Sequence, residues 1–484
     1  MILCLLCFLV SAGFAQSPVT ITVDSRKPGR EIPADFAGES FETASIRINN
    51  RGVKGYMFDS TDRQMIALFK SLGIKSLRIG GGTVDNTGVN PTHNDIDALF
   101  RFAKAAGVKV IYSLRLLNGD AKEDASIAKY VWGHHRQYLD CFAIGNEPDW
   151  HSFHIRDPEI YETDSTQPGT AFPSYIAKWK RFAKMILDSV PHAKFSGPNS
   201  GSNFPVTGAK NTGDNGTSWT SNFIDEEKNS GIISFFTQHN YVGQSTNDKT
   251  APEVIEKMLC PDWDARQYPA LYDASCAPAL ASGFRFRLTE SNCFSEGIDG
   301  ASNAFATALF ALDYLHWWSA HNAAGINFHT TQWRYNATFR LDVEGNYHIN
   351  PMGYGIAAFT IGSHGKIKPV TISNPENVNL TAYGAQDADS LFVTIINKEH
   401  GSNPRDASVT IRFSKPLKDA SVMFLSVPNG DVYAKTGMTL GGVAITNDGQ
   451  WQGKWTLLHS NDSENCALTV PFASAAIVKI LATQ

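Results

Sequence analysis

Several things are scarce in this chain of 484 residues, and each scarcity removes a class of function. Charged residues make up only 18%, and the formal net charge of -5 is spread without long runs. A broad basic face for nucleic acid or a sulfated polymer is therefore not expected, although a local pocket could still be positive. Beyond the first 15 residues no run approaches the ~18 uninterrupted apolar residues that a membrane helix needs. Beyond residues 1–15 there is no Cys-x-x-Cys pair, which argues against a structural zinc site. No Gly-x-Ser-x-Gly elbow occurs, which argues against a serine esterase. Gly80-Gly81-Gly82 lacks the Lys-Ser/Thr of a phosphate loop and is read as a place where backbone approaches a ligand. Gly353-Tyr354-Gly355 lacks a flanking strand and an acidic partner, so it is read as helix packing rather than a dinucleotide turn.

What is present is an apolar leader followed by two regions of different rhythm. Residues 1–15 are read as a signal peptide, with small residues before the break at Ala15, although no Lys or Arg precedes Arg26. Export is the expectation, with no membrane association after cleavage. Removing the leader leaves Cys141, Cys260, Cys276, Cys293 and Cys466, an odd number. Cys260 and Cys276 bracket a loop that an exported protein could close with a disulfide.

Within 16–32, Thr20–Val23 alternates like a half-buried strand. From 33 to 362, eight short apolar runs alternate with amphipathic stretches. The runs are Phe36–Phe41, Ser76–Ile79, Val108–Leu114, Cys141–Ile144, Ala193–Ser196, Phe235–Tyr241, Phe284–Thr289 and Gly325–His329. Eight βα units predict an α/β fold, a (β/α)8 TIM barrel. From 363 to 484 short strand-like runs are punctuated by turn signals such as Asn429-Gly430 and Gly441-Gly442. This is the pattern of an all-β sandwich, which the N-terminal strand is expected to complete.

Chemistry concentrates at two strand ends. The run Cys141–Ile144 stops at Gly145-Asn146-Glu147-Pro148, where Pro148 ends ladder pairing and leaves Glu147 at the carboxyl end of the fourth strand. Glu290 ends the seventh. Strands four and seven face one another across a barrel mouth, and two carboxyl groups ~5 Å apart there are the pair of a retaining glycosidase. Mutual repulsion would keep one of them protonated at neutral pH. Two carboxylates suffice for that reaction, so no cofactor is implied. His151 and His154 follow Glu147 without a third ligand, so they are read as pocket lining and not as a metal site. Trp317 and Trp318 lie in an apolar helical run and are assigned to the core, whereas Trp150, Trp263 and Trp333 are candidates for sugar stacking.

Phe36-Ala-Gly-Glu-Ser-Phe-Glu42, Leu77-Arg-Ile-Gly-Gly-Gly82, Gly145-Asn-Glu-Pro148, His239-Asn-Tyr241 and Thr289-Glu290 together resemble glycoside hydrolase family 79. That family holds β-glucuronidases and heparanases, with a barrel followed by a β-sandwich that an N-terminal strand joins. The resemblance implies Glu147 as acid/base and Glu290 as nucleophile. It implies Asn146 as the ligand of the sugar 2-hydroxyl, Tyr241 as a hydrogen-bond donor to the nucleophile, and Glu42 as a contact to hydroxyls at the far end of the sugar. The family grips the uronate carboxylate with a tyrosine and backbone N–H groups, often in a glycine-rich loop after strand eight. Here the loop reads His329-Thr-Thr-Gln-Trp-Arg-Tyr-Asn-Ala337, without a glycine pair, so Tyr335 and Arg334 become the candidates for that contact. The expected activity is an exo-acting β-glucuronidase on glucuronic acid, 4-O-methylated or not, with a carbohydrate as its partner. A neutral-sugar glycosidase of the same barrel clan and a non-catalytic carbohydrate-binding protein are the competing readings. Sequence leaves the oligomeric state open.

Overall fold

The computed structural model describes the chain except for residues 1–16, 28, 51–52, 87, 151–156, 158, 161–171, 202–217, 331–334, 343, 414–416, 459–463 and 483–484. Eight parallel strands close into a barrel: β2 (Ala37–Glu42), β3 (Ser76–Gly80), β4 (Lys109–Leu114), β5 (Leu139–Ile144), β6 (Phe195–Ser200), β7 (Ile233–Tyr241), β8 (Phe286–Asn292) and β9 (Gly325–His329). The last pairs with the first, Ala37 lying opposite Ile326 and Ser40 opposite His329. Each strand matches one of the eight expected runs, displaced by a few residues at most. The strands are buried almost throughout because helices cover the outer face while side chains fill the inside.

The covering helices begin and end where local chemistry directs. Helix His93–Ala106 opens on a reciprocal capping box between Thr92 and Asp95 and closes at Gly107, whose φ of 74° suits a residue without a Cβ. Two other helices differ in kind. Phe305–Ala320 and Pro351–Gly362 are predominantly apolar on every side and almost entirely buried. A helix with no polar face must be covered on every side. These two lie against each other, and Gly355 permits the contact, since a Cβ there would come 2.3 Å from the Ala308 carbonyl oxygen.

The C-terminal region forms two sheets. Strand β1 (Val19–Val23) inserts between β13 (Val370–Ser373) and β16 (Ala407–Phe413), antiparallel to the first and parallel to the second, and β20 (Asn465–Val470) completes that sheet. The other sheet contains β12 (Lys366–Lys368), β14 (Leu380–Asp387), β15 (Ser390–Asn397), β17 (Leu417–Ser426) and β21 (Ser474–Ala482), with two short edge strands on β17. Ile21, Val393, Ile411 and Val478 share one apolar core between the sheets. A buried ionic cluster also joins the barrel side to this region: Lys398 pairs with Asp264 and Asp313, and Asp313 accepts hydrogen bonds from Thr381 and Tyr383.

Three features depart from the sequence reading. A two-stranded hairpin, β10 (Phe339–Leu341) with β11 (Tyr347–Ile349), follows the 329–337 loop in a stretch where the sequence reading placed no element. All five described cysteines are free thiols, so Cys260 and Cys276 are not joined. Cys276 is buried within a helical segment and behaves as a small apolar side chain. Trp263 is also buried, packed on Phe294 and Phe310, and is unavailable for sugar stacking.

Candidate active site

Glu147 owes its position to an unusual piece of backbone. Gly145 (φ 79°) and Glu147 (φ 46°) both adopt left-handed conformations just beyond β5. The peptide groups there are held from outside the strand. Gly145 N–H donates to the Leu114 carbonyl, Asn146 N–H to the buried Asp85 carboxylate, and Glu147 N–H to the Asn199 carbonyl. A left-handed glutamate is uncommon and persists only where such contacts over-determine it. The result directs the Glu147 side chain into the barrel mouth, where about a quarter of it remains exposed.

Glu290, on β8, faces it. One carboxylate oxygen from each residue and a ring nitrogen of His239 all lie within 4.8 Å of one another. Glu290 is almost fully buried and well supplied with donors. Arg78 Nη1 contacts its Oε2 at 2.5 Å, and the Tyr241 hydroxyl donates to its Oε1 at 2.7 Å. Arg78 also donates to Asn146 Oδ1 at 2.6 Å and to Ser40 Oγ at 3.0 Å. One guanidinium therefore fixes the nucleophile candidate and the amide beside the acid candidate in a single frame.

The two carboxyl groups are driven in opposite directions. Burial raises Glu147 well above the usual carboxylate range, and the charges of Glu290 and Asp149 push it further. Burial would raise Glu290 as well, but His329, His239, Arg78 and the Tyr241 hydroxyl reverse the effect and hold it well below that range. Burial drives His239 down to about 3, so at neutral pH it is an uncharged hydrogen-bond partner for Glu147, 2.9 Å from Oε1. Of the groups around Glu290, Arg78 carries the permanent charge. One protonated and one ionised carboxyl at this spacing suit a proton donor beside a nucleophile. The Glu147, His239 and Glu290 atoms also have the spacing of a cation site, but Arg78 and Tyr241 already engage Glu290, which favours the acid/base reading.

Glu42 lies in the same mouth. Its Oε2 accepts from the Thr83 N–H (2.8 Å) and hydroxyl (2.6 Å), and its Oε1 is 3.5 Å from His329 Nε2. Burial opposes ionisation, but the contacts to His329 and Thr83 hold the carboxyl at about 2. The glycines at the end of β3 explain themselves here. A Cβ on Gly80 would lie 2.5 Å from the Arg78 guanidinium, and one on Gly81 (φ 68°) would lie 2.5 Å from the Glu42 carboxylate. They make room for two site side chains.

Among the expected site residues, Asn146, Glu147, Tyr241, Glu290 and Glu42 thus converge on one pocket. Tyr335 does not join them: it is 45% exposed and lines a separate cavity. Arg334, His151, His154 and Trp333 lie outside the described residues, as does the side chain of Trp150. Sequence reading assigned no role to Arg78, His239 or His329. Strand parity carried a signal for two of them, because His239 is two residues from Tyr241 on β7 and Arg78 interrupts an apolar buried strand.

No protein-family profile matches the chain, and no curated protein matches its sequence. Solved structures do match in three dimensions. A 4-O-α-L-rhamnosyl-β-D-glucuronidase from Fusarium oxysporum 12S superposes with a TM-score of 0.71 at 16% identity, over 95% of this chain and 99% of that one. A GH51 arabinofuranosidase from Xanthomonas axonopodis pv. citri gives 0.66 at 13% identity, over 96% and 99%. A GH30 endoxylanase from Clostridium papyrosolvens C71 gives 0.56 at 14%, over 96% and 100%. The fold is that of (β/α)8 glycoside hydrolases carrying a C-terminal β domain.

Proposed function

We propose that this protein is a retaining β-glycosidase, and most specifically an exo-acting β-glucuronidase of the kind found in glycoside hydrolase family 79. The observation that carries the reading is the Glu147–Glu290 pair, within 4.8 Å and pushed to opposite protonation states. In the first step Glu290 attacks the anomeric carbon, the glycosidic C–O bond breaks, and Glu147 passes its proton to the departing oxygen. In the second step Glu147, now a carboxylate, takes a proton from water as that water attacks the same carbon. The bond to Glu290 breaks and the free sugar leaves with its original anomeric configuration. Asn146, oriented by Arg78, offers its amide to the sugar 2-hydroxyl, and Glu42 accepts from hydroxyls farther along the ring. No cofactor takes part, and the working site of the enzyme is outside the cytoplasm.

One observation favours a neutral sugar instead. Within the described pocket Glu42 is ionised, and Glu290 already engages the Arg78 guanidinium. A uronate carboxylate would then have to find its partners in the loop containing Arg334. Turnover of a panel of aryl β-glycosides by the full-length protein separates the sugars, with the β-glucuronide expected to be best. Glu290→Ala is expected to abolish turnover, with azide restoring part of it as the inverted glycosyl azide. Failure of the wild type on every sugar in the panel would refute glycosidase activity in favour of a binding protein.

A further inference from the structure

A cavity of about 830 Å³ opens beside the loops that follow β8 and β9, and neither catalytic carboxylate lines it. Tyr335, Arg340 and Asp342 contribute from the barrel side, and residues 435–438 and Asn447 from the sandwich side. Apolar surface from Ile349, Tyr354 and Met438 lies among these polar groups.

The walls are tied together. Ile445 N–H donates to Tyr354 Oη at 3.0 Å, Ile349 N–H to Asn447 Oδ1 at 3.3 Å, and Gln64 Nε2 to the Asn447 carbonyl at 3.0 Å. Lys435 pairs with Asp299 at 2.6 Å across the opening. A cavity braced in this way exists before any ligand arrives, which lowers the ordering cost of binding.

The charges leave one group over. Asp342 is paired with His348 at 2.7 Å and Asp299 with Lys435, whereas the Arg340 guanidinium has no ion pair or side-chain hydrogen bond among the described residues. In the lining of the same cavity, Tyr335 is nearly half exposed. An exposed aromatic face, hydrogen-bonding carboxylates and amides, apolar patches and an uncommitted guanidinium are the groups that grip a sugar chain bearing a carboxylate.

We propose that this groove is a second carbohydrate-binding site, one that holds a carboxylate-bearing segment of glycan outside the catalytic pocket. Tyr335 supplies the stacking face and Arg340 the bidentate partner for the carboxylate. The proposal rests on the glycosidase reading above and adds to it an acidic chain as substrate class.

The test titrates full-length Glu290→Gln protein with a glucuronate-containing tetrasaccharide and with the same tetrasaccharide after carboxyl reduction. Adding Arg340→Ala is expected to weaken binding of the acidic form at least fivefold while leaving the reduced form within twofold. Adding Tyr335→Ala is expected to weaken both forms. If Tyr335→Ala weakens both but Arg340→Ala affects neither, recognition of the carboxylate is overturned. If neither substitution moves either affinity, the site itself is overturned. Arg340→Lys, which keeps the charge but not the planar fork, serves as a milder second variant, expected to fall between wild type and alanine. Aryl-glycoside turnover by the wild type reads the catalytic proposal separately, so loss of one does not mask the other.

Discussion

Replacing Glu290 with Gln should move the titration of Glu147, and the size of the movement follows from their separation. Two unit charges no more than 4.8 Å apart repel by about 3.5 kcal/mol at an effective dielectric of ~20. The sign is fixed by the geometry. The negative charge of Glu290 disfavours ionisation of Glu147, so removing it lowers the Glu147 value. Releasing Arg78 from its partner acts in the same direction, because its charge favours the Glu147 carboxylate. The measurement is carboxyl-carbon NMR of protein labelled at glutamate, recorded through a pH series for wild type and for Glu290→Gln. Wild type should also show activity persisting to a descending limb well above the ordinary carboxylate range, set by deprotonation of Glu147. A Glu147 resonance that moved by less than half a unit would refute the mutual repulsion on which the division of roles depends.

Tyr241→Phe removes a donor to an ionised, buried acceptor, an interaction worth ~1.5–3 kcal/mol, so kcat on an aryl glycoside should fall about 10- to 100-fold with little change in melting temperature. Lys398→Met leaves Asp264 and Asp313 buried without their cation, a change expected to cost ~3–5 kcal/mol at pH 7 in chemical denaturation. Glu39 is fully buried, pushed up to about 8, and hydrogen-bonded by Thr330. The folded protein therefore keeps this proton where an unfolded chain releases it near 4.5, so its stability is full below that value and is lost as pH rises towards 8. Over that window the loss reaches at most ~4–5 kcal/mol, and Glu39→Gln should flatten the melting temperature between pH 5 and 8. An unaltered pH slope in the variant would assign the loss elsewhere.

The chain reads clearly wherever a local rule operates. Parallel strands buried on both faces must be short apolar runs, and the eight runs from Phe36 to His329 fall on the eight barrel strands. The early strand was visible as alternation, although its insertion between β13 and β16 required partners some 350 to 390 residues away. The hairpin β10–β11 was missed because its strands are three residues each, too short for a period to register. Trp263 sits in a polar stretch of sequence yet is buried, since only packing against Phe294 and Phe310 decides its exposure.

The same division runs through the site. Sequence by itself determined which carboxylates end strands four and seven, because Gly145 and Pro148 halt a strand wherever they occur and the order of βα units places those ends opposite each other. It could not determine which carboxyl keeps its proton, since that depends on Arg78 and Tyr241 being brought to Glu290 from other strands. Nor could it separate Tyr335 from the pocket of Glu147 and Glu290, because a loop residue's position in sequence leaves its direction free. The hairpin beyond Tyr335 and the sandwich loop around Asn447 turn it into a different groove. Electrostatic poise and pocket membership depend on distances in space, and only the folded chain has those.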